Sequence, residues 1–148
     1  MNVEKRKVTA NISSKGTVIF DPNLLHSGYA RKLYVFTNPD FKKRTEAHFH
    51  PAPHTISVIE GEDIRMATRE PDGSISVIQL ERGYYYYVPP NLPHQLDMEG
   101  PAIFETYMPS SSIISALQSD ENCKKVLDED FFELAKLQEE QRLKVNVA

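Results

Sequence analysis

Three of the five histidines of this chain fall within seven positions, at His48, His50 and His54. His48 and His50 are two residues apart, so their side chains point to the same face if this segment is a β-strand. Pro51 and Pro53 cannot take part in a regular central ladder, and we therefore expect the chain to turn there. A second strand that begins at His54 can bring its imidazole back beside the first two.

A fourth histidine, His94, follows an apolar stretch that contains Tyr84–Tyr87 and three prolines. We predict that the four histidines hold one metal ion. Neutral imidazoles suit Fe, Mn, Ni, Cu, Co and Zn, so the pattern predicts one divalent transition metal without choosing among them. Four neutral ligands leave the ion with its full positive charge, which favours a bound enolate, carboxylate or hydroxide.

The number of open coordination positions decides what such an ion can do. An octahedral ion with four protein ligands keeps two positions for a bidentate substrate, or for a substrate and dioxygen. A tetrahedral zinc ion would instead be closed and structural. We favour an open centre inside a barrel.

Each histidine also has a simpler interpretation as a packed or solvated residue. His54 is the least constrained of the four, because a residue after a proline-containing turn can swing outward. That would leave a three-histidine site, which is also viable chemistry. His26 lies in a loop-like segment beside Ser27 and Gly28, and we do not predict it as a ligand.

Two residues near the end of the β-rich region are candidates for catalysis. Glu105 and Tyr107 share one face of a predicted strand, and Phe104 and Thr106 share the other. If the first face points into a barrel, Glu105 can act as an acid or base and Tyr107 as a hydrogen-bond donor. The alternative is a solvated Glu105 and a packed Tyr107.

Many short predicted strands, separated by turn signals about every ten residues, indicate an antiparallel sandwich or barrel over residues 1–109. Residues 32–37 and 102–108 are clear strands, and residues 62–80 form a hairpin around a Pro-Asp-Gly turn. That turn has a physical basis, because proline presets φ and glycine accepts φ > 0. The pattern therefore predicts an all-β domain.

The pattern changes to helical spacing in the last part of the chain, residues 110–148. Ser110–Leu117 is predicted as a short helix that starts at a serine cap. Asp130 and Glu133 fit a capping box, which predicts an amphipathic helix over residues 130–144. We expect this helical extension to pack on the barrel or on a partner subunit.

The composition excludes several classes of function. At 148 residues, with 40% hydrophobic and 26% charged residues, the chain is predicted to be one globular domain. A net charge of −4 argues against a nucleic-acid partner. The single cysteine, Cys123, excludes an intramolecular disulfide and a thiolate cluster. No apolar run is long enough for a membrane, and no signal peptide is recognised, so we expect a cytoplasmic protein.

The two histidine segments resemble the two motifs of the cupin superfamily. Both keep the family's spacing: His48-x-His50-x3-His54-x6-Gly61 in the first, and Gly83-x5-Pro89-x-Asn91-x2-His94 in the second. The resemblance covers roughly residues 32–108, and it implies a small single-domain protein with an antiparallel jelly-roll β-barrel. It also implies a four-histidine variant of the family's metal site, because His54 stands where the family has glutamate.

Three other positions depart from the family motifs. Lys42 stands where the first motif has its leading glycine, so we expect a different turn there. Asn91 replaces the inner glycine of the second motif, and asparagine is the other residue that readily accepts the left-handed conformation. Met98 stands where the family often has asparagine.

The resemblance leaves three functions open. The leading hypothesis is a metal-dependent enzyme for a small organic substrate, with dioxygenase-like oxidation at a mononuclear metal. The second is a non-redox metal-dependent isomerase, cyclase, decarboxylase or lyase. The third is a non-catalytic metal-binding or small-molecule-binding module or sensor. Fold alone does not decide among them.

The tyrosine run also bears on assembly. Tyr84 and Tyr86 face one way along a strand, and Tyr85 and Tyr87 face the other. We expect one pair to pack in the core and the other to cover the outside or a subunit interface, where tyrosine is enriched. Exposed sheet edges and this run predict a homodimer.

Overall fold

The computed structural model describes residues 3, 5, 9–21, 27–109 and 124–147. Within these residues the chain forms twelve strands and one helix, in this order: β1 (Thr9–Ser13), β2 (Gly16–Asp21), β3 (Tyr29–Phe36), β4 (Lys42–Arg44), β5 (His48–Phe49), β6 (His54–Glu60), β7 (Asp63–Arg69), β8 (Ile75–Gln79), β9 (Tyr85–Val88), β10 (His94–Glu99), β11 (Ala102–Pro109), β12 (Lys125–Val126) and α1 (Phe131–Val147). That helix lacks the apolar length that a membrane crossing requires.

The strands form two antiparallel sheets. The first has the order β1-β2-β3-β11-β6-β9, and the second has the order β12-β5-β10-β7-β8, with β4 also paired to β10. Central neighbours such as β3 and β11 are far apart in sequence, so long connections cross between the sheets. This arrangement confirms the predicted all-β jelly-roll class with a C-terminal helix.

The core fills the space between the two sheets. Along β11, Phe104 and Thr106 are buried on the inner face, whereas Glu105 and Tyr107 lie on the outer face. The inner faces of both sheets meet in one apolar cluster, made of Phe36, Ile56, Val58, Ile64, Met66, Leu80, Val88, Met98, Ala102 and Phe104. Full burial of one large apolar side chain stabilises the fold by about 1.5–3 kcal/mol.

The β7–β8 hairpin closes with the turn that the sequence predicts. Ser74 donates its backbone N–H to Asp72 Oδ1 at 2.9 Å, and Gly73 donates to the Glu70 carbonyl at 2.9 Å. Gly73 has a φ of 88°, a conformation in which a side chain would be strained.

The helix α1 packs on the outer face of the second sheet. Asp130 Oδ1 accepts the Phe132 N–H at 3.1 Å, so Asp130 caps the helix as predicted. Phe131 and Phe132 are buried in a second apolar cluster with Ala47 and Ala67. The helix is therefore held on the barrel by its first turn.

A two-residue strand, β12, comes before the helix and pairs with β5, where Val126 is the register partner of His48. The region after residue 109 is thus not uniformly helical. The short helix predicted at Ser110–Leu117 lies outside the described residues.

Candidate metal centre

The four predicted histidines converge inside the barrel. His48 lies in β5, His50 follows that strand directly, and His54 and His94 are the first residues of β6 and β10. His94 is the register partner of His48, and their ring centroids are 4.4 Å apart. The His54 ring lies 4.9 Å from both the His50 ring and the His94 ring.

Three of these histidines present their ring nitrogens to one another as a possible metal-binding group. One ring nitrogen from each of His48, His50 and His94 lies within 4.8 Å of the other two. This spacing is close to that of nitrogens sharing one ion, since each metal–nitrogen bond is about 2.1 Å long. His54 stands beside this group, and all four imidazoles line the same cavity.

Backbone carbonyls fix the orientation of these three rings. Each Nδ1 meets a carbonyl oxygen two residues away: His48 with Glu46 at 2.9 Å, His50 with Ala52 at 2.7 Å, and His94 with Leu92 at 2.7 Å. A carbonyl oxygen only accepts, so Nδ1 carries the hydrogen in each ring and donates it. The lone pair is left on Nε2, as a metal ligand requires.

Two Nε2 atoms are buried without a partner. Among the side chains that the structure describes, the Nε2 atoms of His54 and His94 are enclosed and make no hydrogen bond. A buried polar atom left in this state costs about 1–3 kcal/mol. A metal ion in the cavity would satisfy both atoms, so the donor set fits the ion that the sequence predicts.

Burial keeps two of the imidazoles neutral. The pKa of His54 is lowered from 6.5 to about 2, chiefly by burial and also by the charges of the neighbouring histidines, led by His94. Burial also lowers the pKa of His94 to about 4, although the hydrogen bond to the Leu92 carbonyl opposes the change. Both rings are therefore deprotonated near neutral pH, the state in which imidazole binds a metal.

A backbone hydrogen bond connects the two histidine segments. Asn91 has a φ of 62°, which confirms that it replaces the family glycine in the left-handed conformation. Its N–H donates to the His50 carbonyl at 2.8 Å, which joins the loop before His94 to the end of β5. Lys42 is the first residue of β4 and pairs with Glu99 of β10. The position where the cupin motif has its first glycine is therefore part of a strand in this chain.

The cavity around the histidines has a volume of about 250 Å³. Besides the imidazoles, its walls contain three lysines, two threonines and a large apolar surface, made of Lys32, Lys43, Lys124, Thr45, Thr106, Tyr34, Phe36, Ile56, Leu96, Met98, Phe104 and Met108. The lysines and Thr106 were not identified from sequence. Alternation along β3 and β11 is the signal that places Lys32 beside Tyr34 and Thr106 beside Phe104.

The structure places Glu105 and Tyr107 on the outer face of the first sheet, outside the cavity that the four imidazoles line. Glu105 accepts a hydrogen bond from Arg31 Nε on the outside of the sheet. Tyr107 lines a separate outer groove, and its pKa is raised first by burial and then by its hydrogen bond with Glu105. The condition for their catalytic role, a face that points into the barrel, is not met, because the long-range register of β11 turns Phe104 and Thr106 inward.

The tyrosine run is also only partly as expected. Tyr86 packs against the core, whereas Tyr85 and Tyr87 are exposed, as one face of the strand requires. Tyr84 is exposed as well, because it precedes β9 and is not held in the pleat. Gln95 follows His94 in β10 and points to the opposite face of the strand, where it contacts the start of α1.

No family model matches this chain, and no curated protein matches its sequence. Its fold is similar to that of oxalate decarboxylase from Bacillus subtilis. One structure of that enzyme has a TM-score of 0.61 and 19% sequence identity, over 81% of this chain and 30% of that chain. A single-residue variant has a TM-score of 0.60 and 18% identity, with the same coverage.

This chain therefore spans about 30% of the length of those neighbours. At such low identity the likeness shows the fold alone. That fold is an antiparallel jelly-roll barrel, which confirms the architecture that the two histidine motifs imply.

Proposed function

We propose that this protein is a metal-dependent cupin that acts on a small organic molecule. One divalent transition-metal ion would be held by His48, His50 and His94, with His54 as the fourth ligand. The observation that carries the proposal is the convergence of four imidazoles on one cavity, with the Nε2 atoms of His54 and His94 buried and unsatisfied.

The chain's own residues prepare this centre. The Nδ1–carbonyl hydrogen bonds of three rings hold Nε2 toward the cavity, so little reorganisation is needed on binding. Apolar walls such as Phe104 and Met98 limit the access of water. Thr106 places a hydroxyl on the same wall, where it can hydrogen-bond a substrate oxygen. A bound ion would supply Lewis-acid chemistry and, if redox-active, electron transfer.

Dioxygenase-like oxidation is the leading reaction class. It is supported by an all-imidazole ligand set, which suits Fe and other redox metals, and by room in the cavity for a substrate beside the ion. The second candidate is non-redox isomerase, cyclase, decarboxylase or lyase chemistry. The fold similarity to oxalate decarboxylase makes decarboxylation the reaction to test first within that group. A non-catalytic binding module is the third.

Metal analysis with and without oxygen separates these classes. Iron or manganese together with substrate-dependent oxygen uptake would support oxidation. Turnover that is unchanged under anaerobic conditions would support the second candidate. A metal-loaded protein that binds small molecules without converting them would support the third.

The site itself is tested by His50→Ala, with His26→Ala as a control that removes the one histidine that is not among the four proposed ligands. We expect His50→Ala to abolish metal retention through gel filtration and His26→Ala to retain one ion per chain. Equal metal content in the two variants would overturn the assignment.

We also propose a homodimer formed through the outer tyrosine face. Tyr29, Tyr85 and Tyr87 are 53%, 72% and 62% exposed there, a concentration of aromatic surface typical of interfaces. Sedimentation of the native chain should give a dimer, and Tyr85→Glu should shift it toward monomer. A native chain that sediments as a monomer at all concentrations would contradict this part of the proposal.

A further inference from the structure

Two threonines, Thr45 and Thr106, line the cavity that holds the histidines, and their hydroxyl groups differ in what they contact. Thr45 Oγ1 accepts the backbone N–H of Leu96 at 2.9 Å and donates to the Leu96 carbonyl at 3.4 Å. This hydroxyl joins the residue that follows β4 to the middle of β10. The fold therefore uses the hydroxyl of Thr45.

The hydroxyl of Thr106 is not used in this way. Within the described part of the chain no hydrogen bond involves Thr106 Oγ1, although the residue is only 8% exposed. The described side-chain atoms that are both sealed from solvent and unbonded are the Nε2 atoms of His54 and His94. Thr106 Oγ1 is not one of them, so it keeps a surface that a small molecule in the cavity can contact.

An unbonded hydroxyl at this position has a cost for the fold. Phe104 and Met108, the neighbours of Thr106 on the inner face of β11, are apolar, and so is Ile56, its register partner on β6. Taking a hydroxyl out of water without giving it a hydrogen bond lowers stability. Valine has nearly the same shape and is equally common in strands, so it would form this wall without that cost. The hydroxyl is therefore available to a ligand rather than needed for packing.

The register of the first sheet places Thr106 near His54. Ile56, which lies opposite Thr106, is two residues from His54 on the same face of β6. Diagonal neighbours of this kind on adjacent strands lie about 7–8 Å apart. The partner of Thr106 on the other side, Lys32 of β3, lines the same cavity. A small molecule bound beside His54 therefore has the Thr106 hydroxyl within reach of its far end.

We propose that Thr106 selects the substrate of this site by donating a hydrogen bond to an acceptor atom that lies beyond the group bound to the ion. The matching substrate is a small oxygenated molecule with two polar groups, one for the ion and one for Thr106, and with apolar atoms against Phe104 and Met108. This inference rests on the metal site proposed above, because the ion fixes the first polar group. The claim that the fold does not need the Thr106 hydroxyl is testable without a metal.

Urea unfolding of the metal-free chain tests whether the fold uses the hydroxyl. We expect Thr106→Val to leave the midpoint unchanged or to raise it, because no hydrogen bond is lost. Thr45→Val is the matched variant and should lower the midpoint, since the N–H of Leu96 loses its partner. A midpoint that falls for Thr106→Val as it does for Thr45→Val would overturn the inference, because the Thr106 hydroxyl would then support the fold.

Azide titration of the cobalt-loaded protein tests whether the hydroxyl meets a ligand. Azide is a linear three-atom anion, so one end can bind the ion while the far nitrogen accepts a hydrogen bond, and the visible spectrum of cobalt reports binding. We expect Thr106→Val to weaken azide binding by about tenfold, the order of effect for one hydrogen bond to a charged acceptor. Thr106→Ser keeps the hydroxyl and should bind azide nearly as the native chain does.

The cobalt content of the same samples distinguishes this inference from the proposed function. If the native chain and Thr106→Val each retain one ion and bind azide equally, the role of Thr106 is overturned and the metal site stands. If Thr106→Val retains less cobalt than the native chain, the inference is also overturned, because the hydroxyl would then act on the metal ligands. A native chain that retains no cobalt would overturn the metal site and, with it, the role of Thr106 beside an ion.

Discussion

The inner cavity and the outer groove both reach His54, from the two faces of the first sheet. The groove is the larger, with a volume of about 620 Å³ against about 250 Å³. Tyr107, which lines the groove, already hydrogen-bonds Glu105, and Glu105 in turn accepts a hydrogen bond from Arg31. In the cavity, by contrast, the Nε2 atoms of His54 and His94 are buried and unsatisfied. The difference teaches that unmet bonding capacity, rather than volume, marks the site for chemistry.

The contrast between the inner cavity and the outer groove would fail if a histidine of the cavity were not needed for metal binding. We expect His94→Ala to weaken metal binding by about a hundredfold to a thousandfold, since protein sites that bind zinc with about 10–16 kcal/mol share that energy among four ligands. Competition with a chromogenic chelator measures the change. Tyr107→Phe, on the outer face, is the control and should bind the ion as the native chain does. If His94→Ala and Tyr107→Phe weakened metal binding to a similar extent, the distinction between the cavity and the groove would be wrong.

Acid should destabilise the inner site selectively. The folded-state pKa values of His54 and His94 lie below 6.5, at about 2 and about 4. Below pH 6.5 the unfolded chain therefore binds more protons than the folded chain, and stability falls as the pH falls. Near pH 5 we expect each histidine to lower the free energy of unfolding of the metal-free protein by about 2 kcal/mol.

Urea unfolding at about pH 7 and about pH 5, in the presence of a chelator, measures this loss. The double variant with His54→Gln and His94→Gln should have a flatter dependence on pH, because neither residue then titrates. An unchanged slope would mean that other groups control the acid sensitivity.

A His54 variant tests whether the metal has three or four histidine ligands. It stands beside the three-histidine cluster, so we expect His54→Ala to weaken metal binding by about tenfold, less than the loss of a residue within the cluster. The spectrum of the cobalt-loaded protein should change as one nitrogen ligand is lost. An unaltered spectrum would define a three-histidine site.

The smallest effect belongs to the outer face. Glu105→Gln weakens a partly exposed ion pair, in which the side chain of Glu105 is 12% exposed and that of Arg31 is 30% exposed. We expect the free energy of unfolding to fall by about 1 kcal/mol or less. Metal affinity should stay at the native value. A drop in metal affinity would restore Glu105 as a candidate for the inner chemistry.

Four features were predictable from neighbouring residues in the sequence. They are the return of the chain between His50 and His54, the β7–β8 hairpin, the Asn91 conformation and the Asp130 cap. Each depends on residues that are close together in the chain. The orientation of β11 did not follow in the same way, because either face of an alternating strand can point inward. Its pairing with β3 and β6, strands about seventy and fifty residues away, decides the matter.

The convergence of Lys32, Lys43 and Lys124 was out of reach for a related reason. They come from three segments that meet only when the two sheets face each other. The two-residue strand β12 was also missed, since Lys125 and Val126 have too little local pattern and are extended because they pair with β5. Properties set by tertiary pairing are therefore the ones that sequence reasoning left open.

Gln95 connects the beginning of β10 to the helix α1 by a hydrogen bond. Its side chain accepts the Phe131 N–H at 2.8 Å and donates to the Thr45 carbonyl at 2.9 Å, while the preceding residue, His94, points into the cavity. The helix is thus pinned directly behind a proposed ligand. A chain truncated after Glu129 should hold its ion less firmly and exchange it faster with free metal, although the deleted part never touches the cavity. The affinity of the site for its ion would therefore depend partly on contacts that lie outside the barrel.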